Sequence, residues 1–178
     1  MSKTFNLKDK LIVEKNVDRT RFFKENLSIQ ACYHLENGTK TGIIYINQIT
    51  PDLKFNLIQK QNYEYGILDI KFDNTNIYTS NSDSSFSILT HSLELTFNHK
   101  LSNSENNSCN TLDKRDNLLL LAMNDGSHCL YDINNKNIVS SNKSHEYGLW
   151  SIYWYNETNY FTGSEDSLLK LWDTREKE

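Results

Sequence analysis

The groups with which this 178-residue chain could do chemistry are five histidines, three cysteines and 23 aspartates and glutamates. Among the polar and aromatic side chains, His145, Thr162, Asp166 and Trp172 all fall in the last copy of a repeat set out below. An aspartate can accept from an imidazole, the imidazole can bond a hydroxyl, and the hydroxyl can meet an indole N–H. Such a relay satisfies the polar groups of a buried edge. Asp166 is also the last of four turn positions, Thr41, Asp83, Asp125 and Asp166, at intervals of 42, 42 and 41 residues. Other reactive groups lack a pattern. Cys32, Cys109 and Cys129 lie far apart with no C-x-x-C pair, so neither a disulfide framework nor a zinc site is expected. There is no G-x-S-x-G elbow, and His145-Glu146 is followed by Tyr147, Gly148 and Leu149, not by a second metal-binding histidine. His128 and Cys129 adjoin on an expected strand, where neighbours point to opposite faces. His34, His91 and His99 have no partner at a telling spacing. These residues name no catalytic group, metal or cofactor.

The elements that would position the relay repeat. Trp150, Ile152 and Trp154 alternate with period two, which predicts a strand whose buried face carries both tryptophans. Tyr160–Thr162 predicts a second strand, Gly163–Asp166 a tight turn, and Leu169–Asp173 a third strand. The segment Ile77–Leu89 repeats this unit at an offset of 83 and Gly66–Phe72 at 82, while Leu118–Asp132 repeats it at 41. Gly42–Ile46 repeats the third strand. The repeat units span about residues 27–47, 64–90, 112–133 and 145–173. No helical periodicity of useful length competes, so the chain is expected to be all-β. Asp18–Asn26, Glu36–Lys40, Gln48–Phe55 and Leu101–Asp116 are expected loops, the last being rich in serine and asparagine.

Composition bounds the function. The formal charge of −4 offers no basic excess for nucleic acid, which disfavours an RNA-binding role. No apolar run approaches the ~18 residues of a membrane span, and the charged N-terminus argues against a secretory leader. The expected compartment is the reducing cytosol. Five N-x-S/T triplets follow from 23 asparagines and read as chance.

A period near 41 residues with a Ser-His start and a Trp-Asp end resembles the WD repeat, one four-stranded propeller blade per unit. The expected fold is therefore an all-β, partial propeller of about four blades. By that resemblance His145, Thr162, Asp166 and Trp172 form the family's structural tetrad. A narrower likeness is carried by Ser144-His-Glu-Tyr-Gly-Leu-Trp150 and by Phe161-Thr-Gly-Ser-Glu-Asp-Ser-Leu-Leu-Lys-Leu-Trp-Asp-Thr-Arg175. It is to the diphthine methyl-ester hydrolases, also called diphthine methyltransferases, of diphthamide biosynthesis. Ala31–Glu36, Thr41–Ile46 and Gly66–Phe72 are similar to earlier parts of that family. Gly148 departs from an acidic position, and Ser164-Glu165 replaces Gly-Asp. Family members run to about seven blades, so the resemblance covers their N-terminal half.

The resemblance implies ester hydrolysis on elongation factor 2, with other diphthamide-pathway proteins as further partners and no cofactor. The competing expectation is a non-catalytic scaffold, because fold does not fix function. Four units would leave two blade faces bare. In a closed ring Leu11-Ile-Val13 could supply the missing fourth strand of the last blade. Marginal stability and self-association are expected.

Overall fold

The computed structural model describes residues 7–176, which form 15 strands in four antiparallel sheets; no helix occurs among the described residues. Each sheet is a meander in chain order. The first holds β1 (Asn16–Lys24), β2 (Leu27–Glu36), β3 (Thr39–Ile49) and β4 (Phe55–Tyr63). The second holds β5 (Ile67–Phe72), β6 (Asn76–Asn81), β7 (Ser85–Thr90) and β8 (Leu95–Lys100). The third holds β9 (Cys109–Arg115), β10 (Leu118–Met123), β11 (Ser127–Asp132) and β12 (Asn137–Lys143). The fourth has three strands among the described residues: β13 (Leu149–Trp154), β14 (Asn159–Ser164) and β15 (Leu169–Asp173).

Alternation along the strands explains the stacking. Ile29, Ala31, Ile44 and Ile46 of the first sheet pack against Ile67, Ile70, Ile77 and Leu89 of the second. The opposite face of the second sheet, Tyr78, Phe86 and Ile88, packs against Leu112, Leu119, Leu121 and Tyr131 of the third. Leu120, Ala122 and Leu130 on the other face of the third then meet Ile152, Trp154 and Tyr160 of the fourth. Successive residues of β10 thus serve two different interfaces, which is why Leu118–Met123 is a continuous apolar run. At ~25 cal/mol per Å² of apolar area, these interfaces are the main stabilising term. The first strands lie innermost: residues of β1, β5, β9 and β13 line one central cavity of about 330 Å³. The last strands of the first three sheets lie outermost and largely exposed.

Several expectations need correction. Asp18–Asn26 is no loop, because β1 occupies most of it, and Leu101–Asp116 contains β9. Both strands are polar, since their side chains bond neighbouring sheets at the central cavity and leave no apolar alternation to read. Thr41 lies within β3, opposite His34, and the β2–β3 hairpin turns at Asn37-Gly38. The strands of this first sheet are longer than those of the others, which displaces its turn. Leu11–Val13 is not a strand and does not join the fourth sheet. Val13 instead packs on the outer face of the first sheet, against Cys32, Ile43 and Tyr45.

Candidate functional site

The structure brings His145, Thr162, Asp166 and Trp172 together. His145 Nδ1 lies 2.8 Å from Asp166 Oδ2, and His145 Nε2 lies 2.8 Å from Thr162 Oγ1. The Trp172 indole donates to the same hydroxyl oxygen at 2.8 Å. Thr162 is on β14, Trp172 on β15 and Asp166 in the turn between them, so one hairpin supplies three members. His145 arrives on the connection from β12 to β13. Burial pushes the Asp166 carboxyl up, but hydrogen bonds from the Leu168 N–H, the His145 ring and the Glu146 N–H outweigh it and hold the group below its usual range.

The three turn aspartates share one geometry. Asp83, Asp125 and Asp166 each accept through Oδ1 from the N–H two residues on, at Ser85, Ser127 and Leu168. The residue between is left-handed in every case: Ser84 (φ 69), Gly126 (φ 88) and Ser167 (φ 66). The carboxylate closes the turn and offsets that strain. The histidine position diverges. Asn107 takes its place beside Asp125, donating at 3.1 Å to Oδ2. In the second sheet no histidine is used, and Asn81 bonds Ser85, Ser87 and Thr79 instead.

Carboxylate, imidazole and hydroxyl in series are the connectivity of a nucleophilic triad. Here the hydroxyl cannot act as one. Thr162 is 0% exposed, and its oxygen is already bonded by the indole, so no substrate carbonyl reaches it.

Trp150 corrects the sequence expectation. It is 51% exposed, not core, while Ile152 and Trp154 are buried as the alternation requires. The cause is a register shift between Leu149 and Ser151, a bulge that re-aims the side chain between them. The Trp150 indole donates to Glu165 Oε1 at 2.7 Å. The turn carrying Glu165 separates two surface clefts. One, of about 630 Å³, is lined by His145, Glu146, Asp166 and Lys170. The other, of about 420 Å³, is lined by Trp150, Glu165 and Leu169. Lys170 donates to the Ser144 carbonyl across the first. A carboxylate there can take a proton from water, and an ammonium can hold a developing oxyanion.

Sequence reasoning missed a second group. Asp69, 2% exposed, accepts from Thr111 Oγ1 at 2.7 Å and faces Arg19 and Arg21, each at 3.3 Å. Lys71 Nζ lies 2.8 Å from Asp113, whose other oxygen accepts from the Trp154 N–H. Lys71, Asp113 and Tyr153 occupy one register position in successive sheets, a signal the repeat offset contains. His128 was also missed. It bonds Ser144 and Tyr160, each at 2.8 Å, between the third and fourth sheets. Burial, with the nearby His145, lowers its pKa to about 4. Burial raises the Cys32 and Cys129 thiols to about 11 and about 12. No group of three or more His, Cys, Asp or Glu able to hold a metal ion occurs among the described residues.

Four antiparallel meanders stacked in chain order, their first strands around one cavity, define a partial β-propeller of about four blades. Solved structures agree. The computationally designed Ika4 protein superposes with a TM-score of 0.72 at 12% identity, over 96% of this chain and 99% of that one. The designed Ika8 protein gives 0.66 at 15% identity, over 88% of this chain and 45% of that one. A chain of the Mitotic Checkpoint Complex gives 0.66 at 11% identity, over 84% and 44%. The chain thus spans under half the length of the last two. At such identities the likeness concerns the fold alone. No family profile and no curated protein matches the sequence. No helix among the described residues is long and apolar enough to cross a membrane.

Proposed function

We propose that this chain is a WD-repeat protein that hydrolyses the methyl ester of diphthine on elongation factor 2, working from the rim of the fourth blade. One observation supports the reading most. The residues that carry the family resemblance, from His145 to Lys170, line two clefts on either side of a single turn, with Trp150 and Glu165 joined and exposed in the second. In this reaction Glu146 takes a proton from water as the water adds to the ester carbonyl. The Lys170 ammonium holds the oxyanion; on collapse the bond from the carbonyl carbon to the methoxy oxygen breaks, and that oxygen takes the proton from Glu146 and leaves as methanol. The product is the free carboxylate. The rim tetrad is the scaffold that fixes Glu146 and Lys170, not the reacting group.

The second reading, a non-catalytic interaction scaffold, is favoured by the burial of the Thr162 hydroxyl and by the exposed aromatic side chains of Trp150 and Tyr153 on β13. Intact mass of elongation factor 2 carrying methylated diphthine separates the two. Loss of one CH₂ unit on incubation, abolished by Glu146→Gln, supports hydrolysis. Unchanged mass with a stable complex supports the scaffold.

A further inference from the structure

We infer that the central cavity is a binding site for a phosphate-class oxyanion, held by Arg19 and Arg21 of the first blade. The inference does not depend on the hydrolase reading. The first strands of all four blades converge on this cavity, and Arg19, Arg21, Lys71, Trp150 and Tyr153 line it.

The charges do not balance. Asp18, whose charge also acts on Arg19, does not line the cavity, and there three cations, Arg19, Arg21 and Lys71, face two carboxylates, Asp69 and Asp113. Both carboxylates are buried and already supplied with neutral donors. Asp69 Oδ1 accepts from the Ile70 N–H at 2.8 Å and Oδ2 from Thr111; Asp113 Oδ2 accepts from the Trp154 N–H at 2.9 Å. Arg19 and Arg21 share the single oxygen Asp69 Oδ1, each at 3.3 Å, longer than a charge-assisted bond of good geometry. Each guanidinium carries five N–H donors. Among the described residues, their other bonds go only to the Asp18 and Thr20 carbonyls, one each. Both side chains remain more than a third exposed, at 37% and 40%. Asp69 therefore positions two forks whose free donors face solvent at the cavity, and the surplus charge is positive in a chain of net charge −4. A low-dielectric mouth focuses that local field. Lys71 lies 5.3 Å from the Tyr153 ring centre, which spreads the positive potential onto the aromatic side of the cavity.

A phosphate monoester could arrive as a free anion or on a protein side chain. The test is calorimetric titration of the purified full chain with inorganic phosphate and, separately, with O-phosphoserine. One-site binding that weakens with added sodium chloride is expected. Arg19→Gln with Arg21→Gln abolishes it. Arg19→Lys with Arg21→Lys, which keeps the charge opposite Asp69 and loses the planar fork, weakens it about tenfold. Tighter phosphoserine binding assigns the site to a protein-borne group, and equal affinity to the free anion. No heat from the parent at about 10 mM of either anion overturns the proposal. So does parent-like affinity in the Lys pair, which is the decisive variant if the Gln pair loses its far-ultraviolet dichroism.

Discussion

Replacing Thr162 with valine tests the rim relay at its centre. The change keeps the shape of the side chain and removes one oxygen. That oxygen is the partner of both the His145 ring and the Trp172 indole, each at 2.8 Å. The His145 side chain is 0% exposed, so water cannot replace the lost bond; the indole is half-buried and recovers part of its loss. Leaving a buried polar group unsatisfied costs ~1–3 kcal/mol. One full and one partial loss give about 2–4 kcal/mol. That is a large share of a typical stability of ~5–15 kcal/mol. For a chain of this size, ~1 kcal/mol moves the melting temperature by ~2–4 °C. The variant should therefore melt about 5–15 °C below the parent, with the loss confirmed by the urea midpoint at unchanged slope. A shift within about 0.5 kcal/mol, the ordinary range for a surface change, would refute the argument that the relay holds the fourth blade.

Further outcomes follow from the same geometry. His128 titrates at about 4 in the folded chain and near ~6.5 when unfolded, so the unfolded chain binds more protons between those values. Stability falls as pH drops through that window, by on the order of 3 kcal/mol, and the urea midpoint of His128→Gln should lose most of that dependence above pH ~4.5. Gly126→Ala should fail to fold at 37 °C as judged by near-ultraviolet dichroism, because φ is +88° and the new Cβ would lie 2.2 Å from the His145 carbonyl oxygen. The outer face of the fourth blade exposes Tyr153 at 60%, Leu169 at 73% and Leu171 at 60%. Sedimentation should show concentration-dependent association that Leu169→Lys with Leu171→Glu suppresses; parent and variant sedimenting alike as monomers would contradict it. The three thiols are buried, and those of Cys32 and Cys129 sit at about 11 and about 12. They should resist an aromatic disulfide reagent at pH 8 until the chain unfolds, whereas rapid native reaction would show that the blade interfaces open readily.

The part of the fold legible in the sequence is the part whose physics leaves a local trace. An aspartate that closes a turn onto the N–H two residues later must recur at the repeat interval, and Asp83, Asp125 and Asp166 do. The middle strands are buried on both faces, so Leu118–Met123 and Ile77–Asn81 stand out as apolar or small runs. The innermost strands β1 and β9 were not legible, because Arg19, Arg21, Thr111 and Asp113 find their partners on other blades, far away in sequence. The outermost strands β4, β8 and β12 bury one face at most and carry little alternation. Of the rim, the grouping of His145, Thr162, Asp166 and Trp172 was readable through the likeness to the WD repeat. The exposure of Trp150 was not, since a single-residue bulge inverts the parity on which that reading depends.

The central claim is that four sheets stack in chain order, with an outer face of the last left uncovered. Amide hydrogen exchange on the dilute chain tests it most directly. Slowest exchange is predicted across β6, β10 and β11, which have strands on both sides and sheets on both faces, and fast exchange along the edge of β15 and over residues 7–15. Protection of β15 equal to that of β10 in a monomeric sample, or rapid exchange across Leu118–Met123, would contradict it.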